Sequence, residues 1–221
     1  MNIPFSKEQF MDVFAHYNLT IWPFQVVLNL LALTMIIFTF NRRKNSDKIN
    51  SSILSFLWIW IGVIYHLIFF TAINKAAYLF ALLFIIQGIL FFITGYLKGQ
   101  ICFAFKKDIY GIGAIVFILY ALIIYPILGY SLGHHYPWSP TFGLPCPTTI
   151  FTFGILLMTI KKIPFYIVII PFIWSIIGFS AAVNLQIFED FGLVIAGITG
   201  TLLLYTKNRK DIMRPFRNLS I

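Results

Sequence analysis

Charge is what this chain lacks. Only 10% of its 221 residues are charged, and Asp and Glu together number 7, against 60% hydrophobic residues and a mean hydropathy of +0.89. A soluble domain carries about 25% charged residues, and a chain of this length in water needs a far more polar surface. The apolar surplus must therefore face lipid. A recognisable catalytic motif and an internal repeat are also missing. The first residues have no basic stretch leading into an apolar core and a small-residue cleavage site, so they do not read as a signal peptide. Cysteine is confined to Cys102 and Cys146, which the topology below places on opposite sides of a membrane, excluding an intramolecular disulfide. The scarcity of acids leaves a net charge of +9. The basic residues sit in short clusters between apolar runs and form no stripe, which argues for membrane loops and against nucleic acid.

What the sequence does have is seven apolar runs, at about 21–41, 52–72, 76–97, 109–131, 148–160, 163–183 and 191–206. A spanning helix needs roughly 17–25 residues, and only the fifth run falls well short. The 25 Phe and 5 Trp suit a lipid-facing surface with aromatic residues near the headgroups. Ahead of these runs, residues 5–17 read as a short amphipathic helix that lies on the membrane surface or folds over the bundle mouth. Ser6 and Gln9 form a capping box, Phe5 staples against Phe10, and Phe10, Val13, Phe14 and Tyr17 share one face. The fold predicted is an all-α membrane protein in one domain. It comprises a surface helix (1–20), a seven-helix transmembrane bundle (21–206) and a basic cytoplasmic tail (207–221).

If the chain crosses seven times, Arg42, Arg43, Lys44, Lys48, Lys98, Lys106, Lys107, Lys161, Lys162 and the basic residues of the tail share one side. Only Lys7 and Lys75 fall on the other. The positive-inside rule then puts the N-terminus outside and the C-terminus in the cytoplasm.

That topology gathers His16, His66, His134, His135, Cys146, Glu8, Asp12, Glu189 and Asp190 at the outer end. Imidazole, thiol and carboxylate groups together suit a cation or a metal; alternatively, they merely populate a polar outer face. In the stretch Gly133–Cys146, four prolines counting the neighbouring Pro147 (Pro137, Pro140, Pro145, Pro147), with Gly133 and Gly143, forbid regular helix. Pro147 suits the first position of a new helix. From there to Ile160 is only ~21 Å of helix, against a hydrocarbon core of ~30 Å. The preceding loop is therefore expected to dip inward and form a pocket at the helix N-terminus, where Cys146, Thr148 and Thr149 lie and where an anion or thiolate is favoured. A tilted helix under a plain surface loop is the alternative. His66, with Tyr65 beside it and Tyr125 at similar depth, is either a ligand-binding or metal-binding histidine or a core histidine bonded to a carbonyl.

The ligand-binding candidates are thus His66, His134, Cys146, Thr148, Thr149, Tyr65 and Tyr125. His66, His134, His135 and Cys146 are the candidates for a soft or borderline metal ion, with Glu189 or Asp190 as further ligands. Gln87 and Asn29 read as interhelical packing residues, and Gly178, Ala182, Ala196 and Gly200 as small contacts between the last two helices.

The run Gly143-Leu-Pro-Cys-Pro-Thr-Thr-Ile-Phe-Thr-Phe-Gly154, with Tyr125-Pro-Ile-Leu-Gly129, Gly133-His-His-Tyr-Pro137 and Trp60-Ile-Gly-Val-Ile-Tyr-His66, resembles a bacterial family of multi-pass inner-membrane proteins of unknown function. Its members are loosely described as transporter permeases. The resemblance covers most of the chain, and it implies a bacterial inner membrane and draws attention to His66, Cys146 and Thr148. Three functions follow as expectations. The first is a small transporter or permease binding a metal ion or small solute in an outer-half pocket. The second is a membrane-embedded enzyme or redox protein using Cys146, a bound metal or haem. The third is a sensor or partner subunit that meets another protein or a second copy of itself.

Overall fold

A computed structural model describes residues 4–217 of the chain, with side chains through Arg209. The side chains of Lys210, Arg214 and Arg217, and the last four residues of the basic tail, lie outside the described residues. The described residues are helical, with only two isolated β-bridges.

Helix α1 (Lys7–Ile21) starts where its cap dictates. The Gln9 N–H donates to Ser6 Oγ at 3.2 Å, and the Ser6 N–H donates to Gln9 Oε1 at 2.9 Å, so two otherwise orphaned donors are satisfied. The chain then turns by 87° into α2 (Phe24–Phe40). Next come α3 (Ser46–Ala72), α4 (Ala77–Leu97) and α5 (Ile109–Ser131). The short α6 (Pro145–Leu157), α7 (Tyr166–Leu185) and α8 (Phe191–Arg217) complete the chain, α8 being entered through a 3-10 turn at Phe188–Asp190. Five of these are long and apolar enough to cross a membrane, and six if the bent pair α1–α2 makes one span.

Within α3, residues Ile61–Phe69 wind in π-helical turns, which rotate the later side chains away from an ideal 3.6-residue projection. The α3–α4 contact is backbone-close. A Cβ at Gly88 would stand 2.8 Å from the Ser55 carbonyl oxygen, and one at Gly62 3.0 Å from that of Ala81, so neither position has room for a side chain.

Exposure sorts the helices. Leu30, Leu33 and Ile37 of α2, Leu79 and Leu82 of α4, and Ile112 and Val116 of α5 are exposed, a belt of apolar surface that suits lipid. Helix α6 is the opposite: every residue but Cys146 is buried. It is enclosed by the rest of the bundle. Trp58 of α3 donates to Thr152 Oγ1 at 3.0 Å, and a Cβ at Gly154 would meet the Ala114 carbonyl of α5 at 3.0 Å.

The two ends of the bundle differ. At one, the segments 41–45, 98–108 and 158–165 tie together. Phe103 N–H donates to Asp47, Ala104 N–H to Met158 O, and Lys207 Nζ to Leu157 O. Most of the basic residues lie in or beside these segments. At the other end sit α1, residues 73–76, the loop 132–144 and the turn at Phe188–Asp190, with Lys7 and Lys75 as the basic residues. Cys102 and Cys146 therefore lie at opposite ends, and both are free thiols.

Candidate functional site

Helix α6 starts two residues earlier than its sequence suggests. Pro145 and Pro147 both fall in the first turn, where a helix has no use for the missing N–H, and Cys146 is thereby inside the helix. The loop before it turns inward: Pro140, Phe142, Gly143 and Leu144 are buried. Gly143 adopts a φ of +100°, open to glycine, and its N–H donates to Thr148 Oγ1 at 3.2 Å.

Helix α1 closes over this loop. Asn18 is the hub, fully buried, donating to Pro137 O at 2.6 Å and Ser139 O at 2.8 Å while accepting from Gln25 and Thr141. Tyr17 donates to Gly143 O at 3.1 Å and accepts from Trp60 Nε1 at 3.0 Å.

Beneath α1 lies a cavity of about 230 Å³. Pro4, Phe5, Phe10 and Phe14 line it from the N-terminal segment, Tyr65 and Phe70 from α3, Phe80 from α4, and Trp174 from α7. The rings interlock: Phe10 and Phe70 lie edge to face at 5.6 Å, and Phe80 and Trp174 at 5.3 Å, separations typical of favourable aromatic pairs. The polar groups that reach it are Tyr125, Cys146, Asp190, Asn74 and Ser180. Tyr125 donates to Asp190 Oδ1, and the Cys146 thiol lies within hydrogen-bonding reach of the same carboxyl. The Trp174 indole N–H has the Cys146 sulfur beside it and no nitrogen or oxygen acceptor.

Behind the cavity a second acid is held differently. Glu189 is fully buried, its Oε1 is 2.6 Å from His134 Nδ1, and its backbone carbonyl accepts from Tyr120 at 2.7 Å. This pair pins the loop 132–144 to the turn at Phe188–Asp190.

Residues 7–214 match the family of unknown function DUF6064. The chain belongs to that family. No curated protein and no solved structure matches it. For this DUF6064 member the site must therefore be read from its own geometry.

Of the residues singled out by sequence, Tyr65, Tyr125 and Cys146 meet at the cavity. His66 does not line it. Its ring is buried among Tyr65, Phe70, Phe80, Phe84 and Trp174, with neither nitrogen hydrogen-bonded, so the backbone-carbonyl partner considered for it is not there. His134 is engaged by Glu189, and His135 packs on Tyr130 at 4.4 Å. Thr148 and Thr149 serve the start of α6, Thr149 by donating to Pro145 O at 2.8 Å. Among the described residues no three His, Cys, Asp or Glu side chains stand together as a metal site.

Sequence reasoning missed Trp174 as part of the site and named Asp190 only as a further metal ligand. The signal for Trp174 was its place in mid-helix, three residues after Pro171, far from the interface positions where tryptophan collects.

Proposed function

We propose that this protein is a seven-span inner-membrane protein of bacterial type, acting as a small transporter or permease that binds a small solute in the cavity beneath α1. The basic loops and tail face the cytoplasm, by the positive-inside rule, and the cavity opens toward the opposite side. Helices α2 to α8 are the seven spans, with α2 continuing from the bent α1 and α6 held inside the bundle.

The observation that carries this reading is the cavity itself. Its ~230 Å³ exceeds the ~150 Å³ that accommodates benzene in an engineered protein core. It combines an apolar aromatic wall with a few converging polar groups, the usual composition of a small-molecule site. Its roof is a separate helix held to the bundle by hydrogen bonds that can be broken and remade. A lid of this kind gives a solute access without opening the helical core.

Solute-dependent thermal stabilisation of the purified protein tests the reading, alongside uptake into proteoliposomes. Ala181 also lines the cavity; solutes that bind are expected to raise the melting temperature and be taken up, and Ala181→Phe, which fills the space, is expected to abolish both. Stabilisation and uptake that persist in Ala181→Phe would place the site elsewhere.

A further inference from the structure

We propose that the cavity takes an organic cation, an amine or quaternary ammonium group, with Asp190 as its counter-ion and the surrounding rings as its cage. The inference rests on the reading that the cavity is the binding site, and it names the chemical class bound there.

Three observations converge on it. First, Asp190 is 5% exposed and faces the cavity, yet its contacts are the neutral O–H of Tyr125 and S–H of Cys146. Among the described residues no cationic side chain stands within ion-pairing distance of it, whereas its neighbour Glu189 has the His134 imidazole at 2.6 Å. A buried carboxylate without a cation is costly, and the α6 N-terminus and two donors favour its charged form only in part. A cation entering the cavity supplies what is missing.

Second, the walls are aromatic rings. Phe10, Phe14, Tyr65, Phe70, Phe80 and Trp174 all line the space. Rings around a desolvated cation attract it through their quadrupoles, and such cages recognise quaternary ammonium groups. A neutral apolar solute would gain from the same walls but would leave Asp190 unpaired.

Third, among the described residues no lysine, arginine or histidine lines the cavity, so no side chain of its wall opposes a cation there. The cavity thus offers one anionic acceptor within an aromatic wall, a pattern fitted by a small ammonium compound.

Equilibrium binding to the full-length protein in nanodiscs, followed by tryptophan fluorescence and thermal stabilisation, tests this with matched probes. Choline and benzyltrimethylammonium are the cations, and 3,3-dimethylbutan-1-ol is the neutral isostere of choline. The cations are expected to bind at least roughly tenfold more tightly than the isostere, a difference of ~1.4 kcal/mol. Asp190→Asn, which keeps an acceptor for Tyr125, is expected to erase that preference, and Trp174→Leu, which removes one ring of the wall, to weaken both cations. The comparison of probes on the unaltered protein stands even if a variant fails to fold. Equal binding of choline and its isostere, or a cation preference surviving in Asp190→Asn, would overturn the cation inference while leaving solute binding intact. Failure of every probe to bind, with neutral solutes still bound in an Ala181→Phe-sensitive manner, would overturn it likewise. If no solute of any class binds, the transporter reading falls as well.

Discussion

Asn18→Ala attacks the roof of the cavity at its hub. Asn18 makes four side-chain hydrogen bonds, to Pro137 O, Ser139 O, Gln25 and Thr141, at 2.6 to 2.9 Å. Each is worth about 1 kcal/mol net, and Gln25, itself buried, loses an acceptor. Because the four share one residue and one loop, their sum is less than additive. The docking of α1 onto the loop 132–144 should weaken by about 2–4 kcal/mol, which corresponds to opening roughly 30- to 700-fold more often. Hydrogen exchange in nanodiscs reads this directly: amides in α1 and in 132–144 should lose protection by that factor, while those of α6 keep theirs. Asn184→Ala is the control, since Asn184 is exposed and bonds only within its own helix, to Ser180 O. Unchanged protection in Asn18→Ala would refute the view that this network holds the lid.

Other perturbations probe the interior. His66→Leu is expected to raise thermal stability by about 1 kcal/mol or more, because it replaces a buried imidazole with two unmade hydrogen bonds by an apolar group; a lower melting temperature would mean that His66 has a partner. Thr152→Val keeps shape but leaves the buried Trp58 N–H unpaired, at a cost of about 1–3 kcal/mol in unfolding measured in mixed detergent. Gly88→Leu, facing a carbonyl 2.8 Å from where its Cβ would stand, should force α3 and α4 apart and cost about 1–3 kcal/mol or more in the same assay.

Much of the helical plan was legible because five of the helices are long and apolar enough to cross a membrane. The short α6 and its proline-rich approach were legible too, since proline and glycine leave few backbone options. Ser6, Gln9 and Phe5 announced α1 by local chemistry alone. Convergence across the bundle was less accessible. Depth along a helix can be counted from its ends, which brought Tyr65, Tyr125 and Cys146 into view, but the direction a side chain faces cannot be counted once π-helical turns intervene. His66 sits in such a stretch, at the right depth, and faces Phe84 and Trp174 instead of the cavity. Asp190 was named only as a further metal ligand, because the groups it meets in the fold, Tyr125 and Cys146, are 65 and 44 positions away in the chain.

Single-cysteine labelling of intact cells tests the threading on which the functional account depends. In a background with Cys102 and Cys146 changed to serine, Lys75→Cys at the cavity end and Lys161→Cys at the basic end are each exposed to a membrane-impermeant maleimide. Lys75→Cys should react in intact cells, and Lys161→Cys only after the membrane is opened. Labelling of both from one side, or the reverse pattern, would contradict the account.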